Sequence, residues 1–215
     1  MSSKNTKEKK YYILMADIID SRDADGDKLM QEFKKLVTKV SKEKKNSFLS
    51  PMTITLGDEF QSVVKSFEEG IDVLIKLEEE KIEFGTEIKL RYVLCYGEID
   101  TPINPESAHE MLGKGLTKSR AILSKLKKEA KRFHFDLQSE QSEILNKIFF
   151  LYSSIIDKWK VDDYELIHSF LQEADYYKVA EKLNKNRGYT WRKEKALEIK
   201  QYFTTKELIN DIKNL

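Results

Sequence analysis

Two short stretches constrain this chain more than any other part of it. Residues 51–65, PMTITLGDEFQSVVK, carry Met52, Ile54 and Leu56 in alternation with threonines, then Gly57 and Asp58, then a second β-rich run through Phe60, Val63 and Val64. Such runs on either side of a glycine predict two antiparallel strands joined by a very tight turn, with Asp58 at its tip. The earlier run YYILMADIIDSR, residues 11–22, is almost wholly apolar from Tyr11 to Ala16 and stops at Asp17. A strand buried on both faces reads this way, and ends where it emerges from its sheet. If the two strands are neighbours, Asp17 and Asp58 meet at one edge. Paired carboxylates repel each other unless a cation lies between them, and hard oxygen ligands in that arrangement suit Mg²⁺.

The 215 residues suffice for one sizeable domain, or for a medium domain with a small appendage, and a hydrophobic content of 40% can fill a core. Lysine plus arginine (38) nearly cancels aspartate plus glutamate (37), so only the distribution of charge can point to a partner. The single cysteine, Cys95, cannot form an intrachain disulfide, which fits a reducing compartment, and the expected location is the cytoplasm. Residues 1–9 read as a loose polar tail. No apolar run approaches the ~20 residues of a membrane helix, so no membrane contact is expected.

Behind the first strand, Ser21 to Asp27 is rich in turn-formers, and Asp25 or Asp27 can cap a helix. In that helix Leu29, Met30, Phe33, Leu36, Val37 and Val40 recur at helical spacing, up to about Lys45. After the hairpin a second helix runs from about Ser66 to Glu80. Gly85 then breaks the chain before Ile88, Leu90, Tyr92, Leu94 and Tyr96 alternate as a fourth strand. The order βαββαβ is that of the ferredoxin-like α+β unit, one antiparallel sheet with two helices on one face, whose crossovers set the end of strand one beside the hairpin. Residues 97–112 make a long connection of the kind found over a functional edge. Gly113 and Gly115 precede a helix, Leu116 to Lys131, whose free N–H groups can receive phosphate; a flexible turn before a surface helix explains the same residues. A further strand falls at Arg132 to Leu137, and residues 139–158 read as a connector helix.

From Asp163 the pattern changes to short helices: Tyr164 to Leu171, Tyr176 to Leu183, and about Tyr189 to Tyr202, with a turn at Asn184 to Gly188. Residues 175–201 hold eight Lys or Arg against four Asp or Glu, a basic module in a neutral chain. The shape is that of a helix-turn-helix in which Val179, Ala180 and Leu183 pack inward while Thr190, Arg192, Lys193 and Lys195 meet a DNA groove and its phosphates. A helical hairpin used for oligomerisation has the same pattern. The chain thus divides into a tail (1–9), an α+β domain (10–137), a connector helix (138–160) and a small all-α domain (161–215).

At MADIIDSR, LGDEF and LRYVLCYGEID…MLGKGLTKSRAIL the sequence resembles the SatD family, bacterial proteins with a cyclase-like front and a helix-turn-helix rear. More distantly, the front is similar to the palm domain of class III nucleotidyl cyclases and of GGDEF diguanylate cyclases. The resemblance implies that Asp17 and Asp58, helped by the Ile18 carbonyl, hold Mg²⁺, and that Arg22, Gly57 and Arg120 bind a nucleoside triphosphate or other nucleotide. Two-metal chemistry would use one ion to lower the pKa of a ribose 3′-hydroxyl and the other to neutralise the triphosphate. By the same resemblance the protein is expected to be a homodimer, since class III cyclases build their sites between subunits. This chain departs from the cyclase pattern at defined points. Met52 to Thr55 replace the base-reading lysine, Thr117 stands at the asparagine position of the later helix, and Arg120 falls one residue from the arginine position. LGDEF also lacks the paired glycines of the GGDEF enzymes. The favoured expectation is a regulator in which Mg-nucleotide occupancy of the palm alters how the C-terminal helices meet DNA or another partner. The alternative is an active metal-dependent nucleotidyl cyclase whose tail dimerises it. Arg22 can instead pair with Asp17 and Asp20, and Glu59 is expected to be a solvated neighbour that tunes the site.

Overall fold

The computed structural model describes residues 9–19, 26–55 and 57–214. Strand β1 (Lys10–Ile18) is fully buried from Ile13 to Ala16, as its unbroken apolar run requires. On one side it pairs antiparallel with β3 (Glu59–Val64), which hairpins back from β2 (Phe48–Ile54). On the other side it pairs antiparallel with β4 (Leu90–Glu98), and β5 (Phe133–Asp136) joins β4 in parallel. The resulting order, β2-β3-β1-β4-β5, is the ferredoxin-like unit with one strand added.

Helices α1 (Gly26–Glu43) and α2 (Phe67–Glu83) cover one face, packing Phe33, Leu36, Ile71 and Leu74 into the cluster that holds Leu14, Ala16 and Ile18. α3 (Lys114–Glu129) covers the other, with Leu116, Leu123 and Leu126 clustered with Ile13, Met15 and Val93. The period of two in β1 therefore gives even-numbered residues to the two-helix face and odd-numbered residues to α3. Asp17 is odd. Local signals set the boundaries: the Ser66 hydroxyl caps α2 by accepting the Glu69 N–H, and Gly57 takes φ +84° in the hairpin loop, where a side chain would be strained.

Behind the sheet, Glu78 of α2 is buried and accepts from the Tyr92 hydroxyl at 2.8 Å, Arg132 Nη2 at 2.6 Å and Lys81 Nζ at 2.5 Å. Burial alone would raise the Glu78 carboxyl, but Arg132 and Lys81 together pull it down to about 2. Arg132 also donates to the Leu90 carbonyl and to Asp157, so one guanidinium joins β4 and α2 to the end of α4 (Gln141–Ile156).

Four more helices follow: α5 (Tyr164–Gln172), α6 (Tyr176–Lys182), α7 (Arg187–Ala196) and α8 (Ile199–Lys213). α5 lies on α2 and α8 on α4, and their buried side chains are continuous with the core of the two-helix face. Tyr202 is fully buried against the rings of Tyr152 and Trp159, and its hydroxyl donates to Glu79 at 2.6 Å. The expected helix from Tyr189 to Tyr202 is instead two. Glu198 takes the left-handed conformation at φ +55°, and the chain restarts as α8. Leu197 continues the inward stripe of Thr190 and Glu194, but Ile199 and Tyr202, also buried, lie far off it, so a continuous helix could not bury them all.

Candidate functional site

The end of β1 and the hairpin arrive at one sheet edge, where the Ile18 N–H donates to the Asp58 carbonyl at 2.9 Å. Asp17 stands opposite Glu59 on β3 and Arg91 on β4. Residues directly opposite across a ladder share a face, so these three side chains emerge together on the α3 side. Arg91 is buried, and its Nη1 donates to both Asp17 carboxylate oxygens, at 3.0 and 2.9 Å. Glu59, also buried, accepts from Arg120 of α3 at Nε (3.3 Å) and Nη2 (3.1 Å). Two acids are thus matched by two guanidinium groups. Burial nevertheless pushes the Asp17 carboxyl up to about 6; Arg91 and Lys127 pull against the shift, while the charges of Asp58 and Glu59 add to it.

The carboxylates of Asp17 and Asp58 and the Ile18 carbonyl offer the hard oxygens that Mg²⁺ takes. They suit the ion chemically, but Arg91 already neutralises Asp17, so a cation must compete with an internal one. Among the described residues, no three or more His, Cys, Asp or Glu side chains are gathered so as to hold a metal.

Beside this edge lies a cleft of about 540 Å³ lined by Thr55, Gln61, His109, Thr117, Arg120 and Ser124. One wall comes from the long connection after β4, which is tied to the sheet at three points. Gln61 Nε2 donates to the Ala108 carbonyl at 2.6 Å, the Ala108 N–H to Thr53 Oγ1 at 2.8 Å, and the Ser50 hydroxyl to the Asn104 carbonyl at 2.5 Å. Gly113 and Gly115 have a packing reason at the start of α3. A Cβ on Gly115 would lie 2.6 Å from the Gly97 carbonyl carbon, and one on Gly113 2.6 Å from Ile99 Cα. The close approach of α3 to β4 accounts for both glycines without a phosphate.

Of the residues expected at the site, Asp17, Ile18, Gly57 and Asp58 lie at or beside this edge, and Arg120 reaches it from α3. Arg22 and Asp20 lie outside the described residues. Glu59 is not a solvated neighbour but a buried, ion-paired member of the cluster. Arg91 was missed, although a signal for it exists: a strand alternating Leu90, Tyr92, Leu94 on one face puts Arg91 on the other, and a sheet covered on both faces leaves such an arginine in need of an acid.

In the C-terminal helices, Thr190 does not face a groove. It is fully buried, with its hydroxyl donating to the Asn186 carbonyl, because position 190 lies on the inward stripe of α7 with Glu194. Lys193 is half-buried and paired with Asp163, whereas Arg192 and Lys195 are exposed.

Sheet order and flanking helices define an α+β protein built on a ferredoxin-like sheet with one strand added. The chain belongs to the SatD family, whose model matches residues 11–212. It is similar to the solved structure of a bacterial light-regulated adenylyl cyclase, at 12% identity and a TM-score of 0.46 over 59% of this chain and 74% of that one. It is also similar to the catalytic core of a rhodopsin-guanylyl cyclase with converted specificity, solved in complex with ATPαS, at 17% identity and a TM-score of 0.42 over 55% of this chain and 74% of that one. These likenesses concern the course of the chain alone. None of the curated proteins compared with the chain matches it. Among the described residues, no helix is long and apolar enough to cross a membrane.

Proposed function

We propose that this SatD-family protein is a regulator: the palm-type sheet binds a Mg²⁺-nucleotide at the Asp17–Asp58 edge, and the C-terminal helices convey that occupancy to DNA or a partner. The observation that carries the reading is the meeting of β1 and the hairpin, where the Ile18 N–H reaches the Asp58 carbonyl and Asp17 emerges beside it. Asp17, Asp58 and the Ile18 carbonyl would hold the ion, which when bound supplies charge neutralisation for phosphates. Arg91 keeps Asp17 neutralised until then, and Arg120, on the rim of the neighbouring cleft, is the cation nearest to hand for a phosphate. Binding is favoured over turnover because the position expected to stabilise a transition state is held by Thr117, whose hydroxyl turns back to the Gly113 carbonyl.

Thermal unfolding of the full chain with ATP or GTP and Mg²⁺ tests this. A saturating ligand at about 100 times its Kd adds roughly 2.7 kcal/mol, a rise of a few degrees, and Asp17→Asn abolishes it without pyrophosphate release in either protein. Pyrophosphate released by the native chain and lost in Asp17→Asn replaces the regulator with a cyclase. No response to any nucleotide or divalent cation removes both.

A further inference from the structure

We infer that the exposed face of α7, with Tyr177 of α6 beside it, is a stacking surface for a single-stranded nucleic acid. The inference rests on the nucleic-acid half of the function proposed above and changes its chemistry from groove reading to base stacking.

Helix α7 turns Thr190 and Glu194 inward and leaves Arg187, Trp191, Arg192 and Lys195 outward, a spacing that places them on one side. Trp191 is 42% exposed, Tyr189 40% and Tyr177 49%, so three large rings stand in water within two short helices. Two of them already carry a cation: Lys195 Nζ sits 4.3 Å from the Trp191 ring centroid, and the Arg187 guanidinium 5.2 Å from that of Tyr177.

Charge is left over at the same place. Lys178, Lys185 and Lys193 are spent on Glu173, Glu165 and Asp163, whereas Arg187, Arg192 and Lys195 have no carboxylate partner among the described residues. Glu194, the acid within α7, is buried. Unneutralised cations next to accessible π-faces call for a ligand that is anionic and flat at once. A strand of unpaired nucleotides offers both, with phosphates for the cations and bases for the rings. A duplex offers only the phosphates, since its bases are stacked on one another. The buried Thr190 also withdraws the small polar side chain that a groove-reading helix would present.

The test uses the full chain with a fluorescein-labelled mixed-sequence DNA strand of about 15 nucleotides, the same RNA strand, and the DNA duplex. The chain has two tryptophans, and Trp159 is buried, so quenching of emission on binding reports on Trp191. The expected result is quenching, at least about tenfold tighter binding of one single strand than of the duplex, and affinity that falls steeply between about 50 and 200 mM salt. Trp191→Ala weakens single-strand binding by roughly tenfold, and Trp191→Phe restores most of it. Tyr177→Ala, on a different helix, guards against a folding defect in the first variant and weakens binding likewise. The DNA and RNA arms identify the strand. Duplex bound as tightly as single strand, or single-strand binding indifferent to both alanines, overturns this inference and leaves the regulator standing. No binding to any nucleic acid overturns this inference and removes DNA from the regulator's partners as well.

Discussion

Asp17 is an ionised side chain in a place that resists ionisation. Its carboxyl sits at about 6, against an ordinary value of 3.8, because burial costs more than Arg91 returns. Its raised pKa fixes a sign. Between about pH 4 and 6 the folded chain holds a proton that the unfolded chain has released, so the contribution of Asp17 to stability is greatest at low pH and is lost as pH rises through 6. Urea unfolding of the native chain and of Asp17→Asn should therefore diverge across this window, with the native protein losing on the order of 2–3 kcal/mol that the variant keeps. Parallel stability curves would mean that Arg91 compensates the charge fully. The meeting of the end of β1 with the hairpin was legible in the sequence because apolar alternation fixes where strands end. The pairing with Arg91 was not, because it depends on which strand lies on the other side of β1, a fact of sheet order that the local pattern around Asp17 does not carry.

At the scale of elements, the seat of α3 on β4 decides whether Arg120 reaches Glu59. The first turn of α3 lies against the backbone at Gly97 and Glu98, so close that a single methyl group on Gly115 meets main-chain atoms at 2.6–2.8 Å. Backbone cannot yield as a side chain can. Gly115→Ala should cost about 1–3 kcal/mol by overpacking. It should also weaken any nucleotide-induced thermal shift, because Arg120 moves with the helix. Lys128→Gln, at an exposed position of the same helix away from the cleft, serves as the control and should leave both unchanged. An unperturbed Gly115→Ala protein would show that the contact relaxes freely. The elements with strong periodicity, β1, α1, α2 and β4, were readable within a few residues. The break at Leu197 and Glu198 was not readable. Its cause is that α8 docks on α4 while α7 does not follow it there, and no local residue is a helix breaker.

The whole molecule is held by a core that crosses from the sheet into the C-terminal helices, and this has a consequence for how it unfolds. Trp159 is buried against Tyr202 and donates its indole N–H to the Leu197 carbonyl, so its environment exists only when α8 is docked. Tyr202 and Lys206 reach back to Glu79, and Lys213 to Asp72, all on α2, while α2 is bound to β4 and Arg132 through Glu78. An element anchored at both ends of such a chain cannot leave without exposing the other part. Urea unfolding of Trp191→Phe followed by tryptophan fluorescence, in which Trp159 alone reports the docking of α8, should therefore coincide with far-UV circular dichroism, which reports all helices, in one transition. A fragment ending at residue 160 should lose that cooperativity, since Tyr152, Ile155 and Ile156 would pass from the core to water at roughly 1.5–3 kcal/mol for each large side chain exposed. Two separated transitions, or a fragment that unfolds as sharply as the full chain, would show instead that the helices are a self-sufficient unit resting on the α+β body. In that event nucleotide occupancy of the sheet edge would have no rigid path to α7.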